Sequence, residues 1–212
     1  MKLSNLQGFR AQFFHFSRES ESWPNSCLAQ FVKTAIFLER DGILNLARSE
    51  GDLQLAPLTI AQFSINEQAV APLRLLKSAG FLLIATTNQP GVSEGIISRW
   101  DLDRMHQILQ RTFALDDILV CPHAEDDFCP CRKPSDGLFS EAAFKHHIDL
   151  ERSFVISDKW QDAEAARVFG ATSLLVESPW IGDGHHDFVL PDIAAVVKKI
   201  TQLNRSELAN FA

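Results

Sequence analysis

A few short polar clusters hold the residues of this sequence that could do chemistry. Glu39-x-Asp41-Gly42 sets two carboxylates beside a glycine that lets the backbone turn toward a ligand. Asp158 and Asp162 form a second acidic pair, and carboxylates that meet at one edge of a sheet suit Mg²⁺, a hard cation that prefers oxygen. Thr87 offers a hydroxyl to a phosphoryl oxygen, and Lys133 offers a cation to charge developing on it. An Asp-Gly by itself is usually only a turn. The order is what carries weight: acid pair, Thr, Lys, acid pair, each just after an apolar run.

A different chemistry lies between Thr87 and Lys133. Cys121-Pro-His123 and Cys129-Pro-Cys131 give C-x-H-x5-C-x-C within eleven residues. Three thiolates and an imidazole suit tetrahedral Zn²⁺, and four protein ligands leave no open coordination position. The expected site is structural, and it ties down the loop that delivers Arg132 and Lys133. A loop of reduced thiols, or a strained Cys129–Cys131 disulfide, are the other readings, and neither explains His123. Cys27 reads as a lone thiol. The pairs His146-His147 and His185-His186 read as surface or loop residues, because neighbours in sequence do not share a helix face. Trp100, Trp160 and Trp180 read as packing residues, with Trp160 placed to border a substrate mouth.

Alternating strands and helices must position these clusters. Apolar runs at 34–39, 81–87, 117–122, 153–157 and 172–177 read as buried strands. Between them, Ser64 with Glu67 predicts a capping box for one helix, and Ser98 with Asp101 starts another. Helices are expected at 138–147 and at 160–169 with Gly170 at its end, and Pro191 starts a last one. The stretch from 40 to about 63 reads as loop. This pattern is α/β: a mostly parallel, Rossmann-like sheet with helices on both faces. Ligands of such sheets bind beyond the carboxyl ends of the strands, where the polar clusters fall.

Composition sets the outer bounds. The 212 residues hold 20 Lys+Arg and 27 Asp+Glu, a net charge of -7 that argues against binding nucleic acid through a broad basic field. No apolar run is long enough for a membrane span, and no secretory signal is clear in the first thirty residues. Residues 1–33 form an extension with five phenylalanines, four of them between residues 9 and 16, and a net charge of +2, leaving the rest at -9. The main domain is placed at 34–202 and a tail at 203–212. A monomer in the cytoplasm is the expectation.

FLERDGILN, TTNQPG, CRKP and SDKWQD resemble the four motifs of the haloacid dehalogenase superfamily of phosphatases. The similarity runs from about Thr34 to Glu177, and with the Cys loop it points to the heptose-bisphosphate and histidinol phosphatase branch. This resemblance implies a Mg²⁺-dependent phosphomonoester hydrolase of a small sugar phosphate, with a minimal loop cap and a structural Zn²⁺. It makes position 39 the nucleophile, Asp41 the general acid and base, and Thr87 and Lys133 the holders of the phosphoryl oxygens. It gives Mg²⁺ to Glu39, Asp41 and Asp158. Substrate contacts fall to Asn88, Gln89, Arg132, Lys159 and the stretch 47–50.

One residue departs from that pattern. The family carries Asp at the nucleophile, and this chain carries Glu39. Glutamate can form an acyl-phosphate, so the objection is geometric: a misplacement of ~1 Å can cost ~10²-fold in rate. Three readings stand side by side: impaired turnover with the ligand site kept, a shifted strand end that lets Glu work, or an engineered substitution that traps a complex.

Overall fold

The computed structural model describes residues 32–50 and 53–210. Almost all of the N-terminal extension, including Cys27 and its five phenylalanines, lies outside the described residues.

Strand β1 (Ala35–Leu38) is wholly buried, which is why it reads as an unbroken apolar run. It is followed by a hairpin of β2 (Arg48–Glu50) and β3 (Leu53–Leu55), paired antiparallel. Helix α1 (Glu67–Ser78), β4 (Leu82–Asn88), α2 (Arg99–Phe113) and β5 (Asp117–Cys121) come next. Then follow α3 (Gly137–His146), β6 (Phe154–Ser157), α4 (Trp160–Phe169) and β7 (Thr172–Val176). Strand β8 (Phe188–Leu190) and helix α5 (Ile193–Asn210) close the fold. The main sheet has the order β5-β4-β1-β6-β7-β8, every pair parallel.

Side chains alternate across β1 and divide the core in two. Ile36 and Leu38 pack with Leu73 and Leu76 of α1, Phe113 of α2 and Val196 of α5. Ala35 and Phe37 face the other way, toward Leu138 and Phe139 of α3 and Ala165 of α4. There Phe37 and Phe139 meet edge to face at 5.1 Å between centroids, and Phe169 stands 4.8 Å from Phe139. Burying each such ring is worth roughly 1.5–3 kcal/mol. Both faces are covered, as the strand pattern requires.

Some boundaries differ from expectation for local reasons. The N-cap of α1 is Asn66, without a side-chain cap, and no Ser64–Glu67 box forms. Tertiary bonds take precedence: Asn66 Nδ2 donates to the Ile43 carbonyl at 3.0 Å, and the Ser64 carbonyl accepts from Leu46 N at 2.9 Å. Ser98 does cap α2, its Oγ accepting from Asp101 N at 3.0 Å. Helix α5 begins at Ile193, two residues beyond Pro191, where Asp192 Oδ1 accepts from Ala195 N at 2.7 Å. It continues to Asn210, through residues set apart as a tail. Among the described residues no helix is long and apolar enough to cross a membrane.

Candidate active site

The carboxyl ends of β5, β4, β1 and β6 lie side by side, and their following residues form one cleft of about 440 Å³. Glu39 and Asp41 leave β1, Asn88 and Gln89 leave β4, and Arg132 and Lys133 arrive from the loop after β5. Lys159 and Asp162 come from the β6–α4 junction, and Arg48 and Gln54 from the hairpin. Gly42 makes the junction possible. Its φ is +102°, and a Cβ there would overlap the Asp158 carboxylate.

Glu39 is 3% exposed and fully engaged. Its Oε1 accepts from Arg40 N at 2.7 Å, Asp41 N at 3.3 Å and Thr87 Oγ1 at 3.1 Å. Its Oε2 accepts from Lys133 Nζ at 2.5 Å. The same ammonium donates to Asp162 Oδ1 at 2.6 Å and to the Thr86 carbonyl at 2.8 Å. Burial works to raise the Glu39 pKa, but the ammoniums of Lys133 and Lys159 outweigh it and hold the group at about 2. Asp162, sharing Lys133 with Glu39, is pushed up to about 6 by burial, with Lys133 opposing and Glu39 adding. Glu39 is therefore the fixed anion, and Asp162 the first of the two to take a proton.

Asp41 is held from three sides. The Arg40 guanidinium, itself wholly buried, lies against both carboxylate oxygens at 3.0–3.2 Å. Asn45 Nδ2 donates to Oδ1 at 2.9 Å and Gln89 Nε2 to Oδ2 at 2.7 Å. Behind Arg40, its Nη1 is 3.4 Å from His106 Nε2. A guanidinium has only donors, so that nitrogen accepts and the imidazole is neutral. Burial first, then the Arg40 charge, push His106 down to about 4, with Asp41 opposing.

This depression has a pH consequence. Unfolded, the imidazole protonates near 6.5; folded, it resists until about 4. Its contribution to stability is whole above pH 6.5 and is lost as pH falls toward 4, by about 2.5 kcal/mol at pH 4.5. Denaturant unfolding at pH 7 and 4.5 should show His106→Gln losing less stability between the two than the parent by about that amount. Equal losses would contradict a neutral, half-buried His106.

The oxygens suited to a divalent cation are the Asp41 backbone carbonyl, Glu39 Oε2 and Asp158 Oδ1. Lys159 Nζ sits among them at 2.8, 3.8 and 3.6 Å respectively. Asp158 Oδ1 is buried without a hydrogen-bond partner, while Oδ2 accepts from Gln54 Nε2 at 2.5 Å. Burial, countered by Lys159, raises the Asp158 pKa. An orphaned carboxylate oxygen, a carbonyl and a second carboxylate are a donor set that fits Mg²⁺. Asp41 faces this point through its backbone carbonyl, while its carboxylate faces Arg40, Asn45 and Gln89. Asp162 faces Lys133 and Ser157 instead.

Substrate-facing residues sort less simply. Asn88 lines the cleft, but its amide donates to the Lys133 carbonyl and accepts from Lys133 N, both at 3.1 Å. It sets the Lys133 loop. Gln89 also lines the cleft, and its amide holds Asp41 and donates to Thr87 Oγ1 at 2.9 Å. Arg132 lines the cleft, and its Nη1 donates to the His123 carbonyl at 3.2 Å. Arg40, Asn45, Gln54 and His106 were not singled out from sequence. Arg40 stood inside a motif, but nothing local shows which way a guanidinium points.

Cys121, His123, Cys129 and Cys131 come together beside this cleft, their ligand atoms within 4.8 Å of one another. Neighbouring atoms are 3.2–3.6 Å apart. A tetrahedral zinc with Zn–S near 2.3 Å has S···S edges of roughly 3.8 Å, so the cluster could close on Zn²⁺ with small adjustments. Without a cation the thiols resist joint ionisation: burial and the two neighbouring sulfurs push Cys131 up to about 12. The three cysteines are free thiols, so no Cys129–Cys131 bridge forms.

A parallel sheet with an acid pair after its central strand, a Thr on the next, a Lys from a third junction and an Asp after a fourth defines a haloacid dehalogenase-like phosphatase. Comparisons with known proteins agree. The family model for HAD-hydrolase-like proteins matches residues 130–200. D-glycero-beta-D-manno-heptose-1,7-bisphosphate 7-phosphatase of Helicobacter pylori strain J99 is 36% identical over 134 residues, covering 60% of this chain and 74% of that protein. The enzyme of the same name from Pasteurella multocida is 31% identical, covering 81% and 99%. The crystal structure of D,D-heptose 1,7-bisphosphate phosphatase from B. bronchiseptica, complexed with magnesium and phosphate, superposes with a TM-score of 0.69 at 25% identity, covering 80% and 99%. The chain belongs to the heptose-1,7-bisphosphate 7-phosphatase family of haloacid dehalogenase-like phosphatases.

Proposed function

We propose that this chain removes the 7-phosphate of D-glycero-D-manno-heptose 1,7-bisphosphate, at a rate held down by Glu39. The observation that carries this reading is the convergence of Thr87, Lys133 and the Arg40 and Asp41 amides at the tip of β1. Arg48 and Arg132 border the same cleft and supply positive charge for a second anionic group. In the first step a Glu39 oxygen attacks phosphorus in line, forming an acyl-phosphate, while Asp41 gives a proton to the departing alkoxide. Asp41 then takes a proton from water, which attacks phosphorus and releases inorganic phosphate and free Glu39. Glu39, Asp158 and the Asp41 carbonyl would hold Mg²⁺, which neutralises charge on the transferring group. We place the chain in the cytoplasm as a monomer, where ligand thiols stay reduced.

Turnover of the chain and of Glu39→Asp should be measured with Mg²⁺ over a panel that includes both heptose bisphosphate anomers and histidinol phosphate. The Asp variant should gain about 10²-fold, since it restores the attack distance. Comparable strong turnover in both would remove the claim that Glu39 is the block. No turnover in either would sink the phosphatase reading.

A further inference from the structure

The donors that should receive a phosphoryl group already have an occupant. The Arg40 amide has one hydrogen, and it points at Glu39 Oε1 from 2.7 Å. The Thr87 hydroxyl has one hydrogen as well; its oxygen takes the Gln89 amide, and it donates to the same Oε1. An ammonium has three. Those of Lys133 go to Glu39 Oε2, the Thr86 carbonyl and Asp162 Oδ1. No donor of this set is free while the Glu39 carboxylate is in place.

We propose that the Glu39 carboxylate is the resident anion of the phosphoryl cradle, so that inorganic phosphate enters only when that carboxylate leaves. The inference rests on the phosphatase reading for the identity of the cradle. It adds that the extra methylene does more than misplace an attacking atom. It carries the carboxylate forward by about 1.5 Å, one carbon–carbon bond, into the point where its own backbone amides, a hydroxyl and an ammonium converge. Two anions cannot share hydrogens that are each used once. An aspartate, shorter by that bond, leaves room between itself and Lys133. Phosphate, the product of the chain's own reaction, thus has to displace the chain's own side chain to bind.

Inorganic phosphate titrated calorimetrically into the full chain, with and without Mg²⁺, tests this directly. Glu39→Ala empties the cradle, and Glu39→Asp keeps a negative partner for Lys133. Thermal melts and zinc content check that each variant is folded. In Mg²⁺-free buffer both variants should bind phosphate at least tenfold more tightly than the parent. A gain below tenfold in either folded variant overturns the proposal. If that happens while Glu39→Asp turns over sugar phosphate, only the resident-anion claim fails. If no form binds phosphate and none turns over, the cradle itself has been misread.

Discussion

Lys133→Met is expected to abolish turnover and to destabilise the fold by about 3–5 kcal/mol, the usual cost of leaving buried charges without their partner. The ammonium is 1% exposed and lies between two carboxylates, Glu39 at 2.5 Å and Asp162 at 2.6 Å. Burial works to lower the Lys133 pKa, but Asp162 and Glu39 raise it, so the group is a permanent cation. Methionine fills the volume and removes the charge. Both carboxylates are then buried with no ammonium between them, and both become easier to protonate. The deficit should therefore be largest at neutral pH and shrink as the solution is acidified. Urea unfolding at pH 7 and 5 reads this difference. Loss of the cation facing the phosphoryl group should also lower turnover by at least ~10²-fold, best measured in the Glu39→Asp background. A stability loss under about 1 kcal/mol, unchanged with pH, would contradict the paired geometry.

Removing zinc should have the second large effect. The cluster joins the end of β5 to Lys133 through Cys131, two residues away, so a bound metal would fix the segment that reaches the cleft. Structural zinc sites bind with about 10–16 kcal/mol at neutral pH, and part of that is folding free energy. Protein purified without chelators should carry about one zinc per chain, and Cys129→Ser should lose it. If a few kcal/mol of stability go with it, the melting temperature falls by roughly 10 °C. Phosphate turnover in the Glu39→Asp background should drop in parallel. Zinc-free protein with the same melting temperature would show that the loop holds without a metal.

The zinc cluster and the strand-end order were both legible in the sequence, because each rests on residue types at fixed spacing. Strand β1 and helix α4 were equally plain, one as a buried apolar run and the other ended by Gly170. The hairpin β2–β3 was read as loop: its strands are three residues each, too short for a periodicity. Strand β8 is as short, and follows a polar stretch that reads as turn. The misjudged start of α1 has another cause, since Asn66 is fixed by Ile43, which is distant in sequence. Long-range partners also account for what the sequence did not show of the site. Asn88 and Gln89 have amides that suit substrate, but their partners are Lys133 and Asp41, which no spacing rule reveals. The family departure at Glu39 was visible at once. Where its extra methylene goes was not.

The sheet order bears on how this molecule comes into being. Strand β1 pairs with β4 and with β6, and Ala35 N donates to Ser153 Oγ across 118 residues of chain. Parallel neighbours cannot be joined by a tight turn, so each pairing waits for a long connection to close. The cleft draws on four strand ends, from Glu39 to Asp162. Assembly of this cleft therefore depends on several long-range pairings, which should make it slow. During synthesis, the carboxylate of Glu39 emerges long before Lys133 and Asp158 exist to meet it. A nascent or truncated chain that stops before β6 carries the cradle residues Thr87 and Lys133 but lacks Asp158, Lys159 and Asp162, so the metal side of the cleft has not been made.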